Sequence, residues 1–100
     1  EIEFVSRNVA DENNGFMLFD NQPNPWNEWT RVNFELPRSG EVTLRIFDAQ
    51  GKMLYYNTSD FEAGKRYIDL EDEQITGRGV LIYMLEFEGQ QRVNRMILNE

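Results

Sequence analysis

The side chains in this sequence best equipped for chemistry are its carboxylates and its two tryptophans. Glu71, Asp72 and Glu73 stand in one polar run. A carboxylate pair can cleave a glycosidic bond when one acid is protonated and the other ionised at a fixed separation across the substrate. Three successive acids share one solvated environment instead, so a surface loop is the expected reading. Asp60, Asp69 and Asp72 could lend oxygens to a weak loop site for calcium, yet no Asp-x-Asp/Asn-x-Asp/Asn-Gly ligand loop is present. The chain contains no histidine and no cysteine. That removes the Ser-His-Asp and Cys-His constellations, imidazole and thiolate metal sites, and disulfides together, while leaving the redox compartment open. Thr76-Gly77-Arg78-Gly79 is glycine-rich but leads into a strand, whereas a phosphate cradle needs the start of a helix. Trp26 and Trp29 could stack on sugar rings, or one could pack against the end of the fold with the other half exposed. Nothing here is arranged for catalysis, and no cofactor is implied.

Charge and length narrow the partners. One hundred residues make one domain, and 40% hydrophobic with 13% aromatic residues suits a folded chain. A net charge of −8 disfavours nucleic acid and anionic membrane surfaces alike. No apolar run approaches the ~18 residues of a spanning helix. No leader of charged, then apolar, then small residues opens the sequence, which begins at Glu1 without Met and reads as a fragment or a mature form.

The elements that must carry these side chains are strands. Val32, Phe34 and Leu36 alternate with polar neighbours across Thr30 to Leu36, and Val42, Leu44 and Ile46 do the same across Glu41 to Phe47. Asp48-Ala49-Gln50-Gly51 forms a tight connection, with Gly51 at positive φ, into a third strand from Lys52 to Asn57. Lys65 to Leu70, Val80 to Glu88 and Gln91 to Leu98 complete the set, with Ile68 and Leu70 as core and Gly89-Gln90 as a two-residue turn. A single helical turn fits between Glu71 and Thr76. Short strands at this spacing predict an all-β fold, an immunoglobulin-like antiparallel sandwich of about seven strands. Residues 1–15 read as a linker or the tail of a preceding domain, with a short strand over Ile2 to Val5 and a bend at Asn14-Gly15; 16–100 read as the domain. Val80 to Phe87 is apolar on both faces. Either its outer face is covered by neighbours, or it is a surface for a partner.

The order of landmarks resembles a known family. Leu18 to Trp26 holds a Pro23-Asn24-Pro25 turn, followed by an alternating strand closed by Leu36-Pro37. Next come Gly40 to Asp48 as a G-x-V-x-L-x-I-x-D segment, Gly51-Lys52, and Phe61 to Gly64. Gly79-Val80-Leu81-Ile82-Tyr83 and a last strand ending in Arg95-Met96-Ile97-Leu98 finish the pattern. Together these resemble the type A C-terminal sorting domain of the type IX (Por) secretion system of Bacteroidetes-type bacteria. Trp26 stands where Phe is common, Asp20-Asn21-Gln22 permutes a Gln-Asn pair, and Arg95 replaces a Lys.

The resemblance implies a non-enzymatic label on the C-terminus of a larger cargo. The cargo would cross the periplasm, be recognised by the outer-membrane translocon, and be cut free by a sortase-like peptidase. It would then be released or joined to lipopolysaccharide at the surface. The expected recognition residues are Arg95, Met96, Ile97 and Leu98. Pro23, Asn24, Pro25, Gly51, Lys52, Gly64, Gly79, Val80 and Tyr83 are the matching motif positions, with the glycines and prolines expected to serve the backbone and Tyr83 the core. An unpaired edge strand could be read by strand addition, and the stretch from Asn8 to Gly15 is where cleavage would fall. The rival readings are a structural or adhesive Ig-like repeat, the Ig-like domain of flagellar hook-capping proteins, and a carbohydrate-binding module built on Trp26 and Trp29. Tyr67 to Val80 lacks the tryptophan that the hook-capping family carries before its final strands.

Overall fold

The computed structural model describes residues 15–100. The expected linker or preceding-domain tail, the strand over Ile2 to Val5 and most of the proposed cleavage stretch therefore lie outside the described residues. Seven strands follow in order: β1 (Met17–Leu18), β2 (Trp29–Leu36), β3 (Gly40–Asp48), β4 (Met53–Phe61), β5 (Gly64–Glu71), β6 (Gly79–Phe87) and β7 (Gln90–Leu98). They form two antiparallel sheets, ordered β1-β2-β5 and β4-β3-β6-β7. This is the all-β sandwich that the alternation predicts, with each sheet turning one face inward.

The inner faces are those the period-2 pattern selects. Val32, Phe34 and Leu36 of β2 meet Val42, Leu44 and Ile46 of β3 and Leu81, Tyr83, Leu85 and Phe87 of β6, all buried. Leu70 joins them from β5, and Ile68 packs against the cluster only in part. Each fully buried aliphatic or aromatic side chain contributes about 1.5–3 kcal/mol, so this inner layer is the main source of stability. Phe16 lies 5.5 Å from Phe87, ring centre to ring centre, and plugs the layer from just before β1.

Turn chemistry sets the hairpins. Asp48 organises the β3–β4 connection: its carboxylate accepts the N–H groups of Gln50 and Lys52, each at 2.9 Å, and Gly51 takes φ +90° as expected. At the β6–β7 turn the structure corrects the expectation by one residue. The central pair is Glu88-Gly89, at φ +51° and +81°, and Gln90 already pairs with Phe87. Both central residues of a type I′ turn need positive φ, and Gln90 is needed for the ladder. Glu88 tolerates this conformation while forming an ion pair with Arg38.

Two further differences have physical causes. β4 continues past Asn57 to Phe61, because main-chain pairing of Ser59 with Val42 and of Phe61 with Gly40 does not depend on its polar sequence. β1 is only two residues long, too short to leave a periodic trace, and pairs with Glu35 and Phe34 of β2. The expected single helical turn is a 3-10 turn at Asp72–Gln74.

Candidate functional site: the Pro-Asn-Pro turn seals the last strand

β7 is an edge strand, and alternate residues of an edge strand point their N–H and C=O groups away from the sheet. At its C-terminal end these groups are taken up by the chain's opening turn. The Ile97 N–H donates to Asn24 Oδ1 at 2.9 Å. Trp26 N–H donates to the Ile97 carbonyl at 2.9 Å, and Asn99 N–H to the Trp26 carbonyl at 2.8 Å. Asn27 and Asn99 join their side chains at 3.0 Å. Trp26 thus acts as a parallel bridge to Leu98. The segment from Asn24 to Asn27 is held along β7 by this single bridge, and its Trp26 side chain is buried in the core.

A polar network holds that segment in place. Asn21 Nδ2 donates to Thr30 Oγ1 at 2.9 Å, and Thr30 Oγ1 donates to the Pro23 carbonyl at 2.7 Å. The Asn21 N–H donates to the Tyr83 hydroxyl, which in turn donates to the Phe19 carbonyl, both at 3.1 Å. Asn21 and Thr30 are buried, so unpaired polar groups here would be costly. Burial pushes the Tyr83 phenol above its ordinary pKa, against the pull of its bonds to Asn94 and Asn21. It stays a protonated donor at neutral pH.

The predicted residues separate by position. Pro23, Asn24 and Pro25 form the seal. Gly79 and Val80 pair with Leu98 and Ile97 from the neighbouring strand, and Tyr83 is core with its hydroxyl satisfied, as expected. Gly51 and Lys52 lie in the β3–β4 turn, and Gly64 opens β5, apart from this group. The four residues of the last strand divide by parity. Met96 and Leu98 are buried, whereas Arg95 and Ile97 face outward. A cleft of about 370 Å³ runs beside them, lined by Asp20, Asn24, Val80, Asn94, Arg95, Met96 and Ile97. It offers a carboxylate, a guanidinium, side-chain amides and apolar carbon within one opening.

The other candidate chemistries do not assemble. Trp26 is buried while Trp29 is 48% exposed, so the two cannot stack together on a sugar. Asp69 is held by Arg31 through bonds of 2.7 and 3.1 Å, which keep its carboxyl below the usual range. Asp72 faces Arg78 at 3.5 Å. Among the described residues no three acids come together as metal ligands.

Sequence reasoning missed Asn21 and Thr30. Their signal is weak, since a buried Asn or Thr looks like any loop residue until its partners are placed. Replacing Asn24 by Ala should remove the acceptor for the Ile97 N–H and cost about 1 kcal/mol. Hydrogen exchange should show the Ile97 amide losing protection while the β3 amides keep theirs.

The secretion system C-terminal sorting domain family matches residues 22–99. The chain belongs to that family. The match starts just before the Pro-Asn-Pro turn and ends at Asn99, so it encloses both halves of the seal. No curated protein matches this chain. Its fold is similar to part of the crystal structure of dimeric latent PorU from Porphyromonas gingivalis, with a TM-score of 0.65 and 15% sequence identity. That similarity covers 98% of this chain and 10% of the PorU chain, and at such identity it speaks for the fold alone.

Proposed function

We propose that this sorting domain is of the type A class and directs a larger cargo through the type IX secretion system. The cargo precedes the domain in the same polypeptide, passes through the periplasm, and is carried to the surface or the medium. The outer-membrane translocon docks the folded domain, chiefly through its last strand. A sortase-like peptidase then cuts upstream, between Asn8 and Gly15, and the cargo is released or joined to lipopolysaccharide. The domain acts as an address and not as a catalyst.

The observation that carries this reading is the joining of the two ends of the family pattern. Asn24 and Trp26, from the opening motif, bond to Ile97 and Asn99 at the other end. A label that must be presented intact gains from such closure, because the seal holds the outer face of β7 in one geometry. Strand ends are otherwise where local opening begins.

The test is to fuse residues 1–100 behind a periplasm-targeted fluorescent reporter in a host with type IX machinery. Reporter should appear outside the outer membrane, and its mass should place the new C-terminus between Asn8 and Gly15. Intact fusion that accumulates in the periplasm, with the domain folded, would overturn the proposal.

A further inference from the structure

Among the described arginines, one stands apart. Arg31, Arg38, Arg45, Arg66 and Arg78 each reach a carboxylate, and Arg92 donates to the carbonyls of Phe16 and Gln91. Arg95 has no partner of either kind among the described residues. This holds in a chain with 18 acidic residues and 10 basic ones, where an exposed guanidinium would readily find a carboxylate.

Its neighbours on the outer face of the sheet are apolar, while the cleft beside it adds Asp20, Asn24 and Asn94. Across the β6–β7 ladder Arg95 sits opposite Ile82, Val93 opposite Met84, and Ile97 opposite Val80. All six lie on the face away from the core, because Leu81, Tyr83 and Leu85 on β6 and Met96 and Leu98 on β7 are the buried set. Val80 is 45% exposed, Val93 54% and Ile97 42%. On the next strand Phe47 lies opposite Ile82 and widens the patch. An apolar patch that carries one open cation on its edge strand, with the Arg45–Glu86 ion pair alongside, is a docking surface by composition.

Resting on the sorting function proposed above, we propose that this outer face of β6 and β7 docks a protein surface that presents a carboxylate among apolar side chains. Charge selects this occupant. A second copy packed face to face would set Arg95 against its own kind, and any pairing of copies brings together two chains of net charge −8. An anionic membrane would meet the same net charge. A partner carboxylate instead meets the one described arginine that lacks an acceptor, and a planar guanidinium can hold it through two bonds. Val80, Val93 and Ile97 bury apolar carbon around that pair and exclude water from it.

The test uses the reporter fusion of residues 1–100. A photo-crosslinking residue replaces Val93 on this face or Tyr67 on the opposite sheet, and Arg95 is varied separately. Crosslinks to an outer-membrane protein are expected from position 93 and not from position 67. Export should fall about tenfold or more in Arg95→Glu and Arg95→Gln, and less in Arg95→Lys, as loss of a charge-assisted bond requires. Each variant is exposed, so unchanged melting of the isolated chain should accompany the loss. Crosslinking from 67 alone, a product of twice the chain mass, or lipid crosslinks at 93 would overturn the proposal. So would export of all three Arg95 variants at the parent level, which would leave the sorting function standing. If the parent fusion itself is not exported, both readings fall.

Discussion

A chain ending at Asn94 should fail to fold. The deletion removes Met96 and Leu98, both fully buried, and losses of this kind cost about 2–5 kcal/mol each when only the side chain goes. It also removes Ile97 and Asn99, the two residues to which the Pro-Asn-Pro segment bonds. Trp26 would then have no strand to lie against. Summed, these losses match or exceed the ~5–15 kcal/mol by which an ordinary domain is stable. Thermal unfolding of the truncated chain, followed by near-ultraviolet circular dichroism, should show no cooperative transition. A transition within a few degrees of the parent's would mean that the seal and the end of β7 are dispensable. The consequence for function is direct: loss of export on trimming the tail reports loss of fold, so recognition must be probed at exposed Arg95, Val93 and Ile97.

The second large effect is at Trp26. Trp26→Ala should lower stability by about 3–5 kcal/mol, the usual range for emptying a buried aromatic site. Trp26→Phe should cost no more than about 1 kcal/mol, for a reason visible in the structure. The indole Nε1 of Trp26 is buried with no hydrogen-bond partner among the described residues, and a buried donor left unpaired costs about 1–3 kcal/mol. Phenylalanine gives up some volume but removes that orphan group. The main-chain bonds from residue 26 to Ile97 and Asn99 are the same for either aromatic ring. Urea unfolding of the two variants decides the matter. Equal destabilisation by Ala and Phe would show that the ring's full size, and not simply an aromatic plug, is what the site requires.

Much of the fold was legible because β2 and β3 alternate cleanly. Val32-x-Phe34-x-Leu36 and Val42-x-Leu44-x-Ile46 announce both their period and their inner face, and both faces turned out as read. β6 and the end of β7 did not declare a face, since Val80 to Phe87 is apolar on both sides and Met96, Ile97 and Leu98 run without a break. The sandwich fixes the inward face, and register then decides which residues meet on the outer one. Placing the turn at Glu88-Gly89 sets Arg95 beside Ile82 and Ile97 beside Val80. A turn one residue later would have moved every partner along β7 by two positions. The expectation of a partner surface on β6 and the expectation of recognition by Arg95 and Ile97 therefore concern one patch, which neither strand reveals alone.

The seal was hidden for another reason. Asn24 and Ile97 are 73 residues apart, and a side-chain acceptor for an edge N–H leaves no pattern in either segment. The motif positions marked both places, but the contact between them is a property of the folded chain. Gly51 and Gly79 were easier, because both take φ +90°, a conformation that glycine alone reaches at little cost.

The most direct measurement is the fraction of a folded periplasmic reporter carried outside the outer membrane by residues 1–100. It should be made in a host with the type IX translocon and in the same host lacking it. Reporter outside the first host and confined to the periplasm of the second is the expected result. Equal retention in both, with the domain shown to be folded by protease resistance, would contradict a sorting role for this chain.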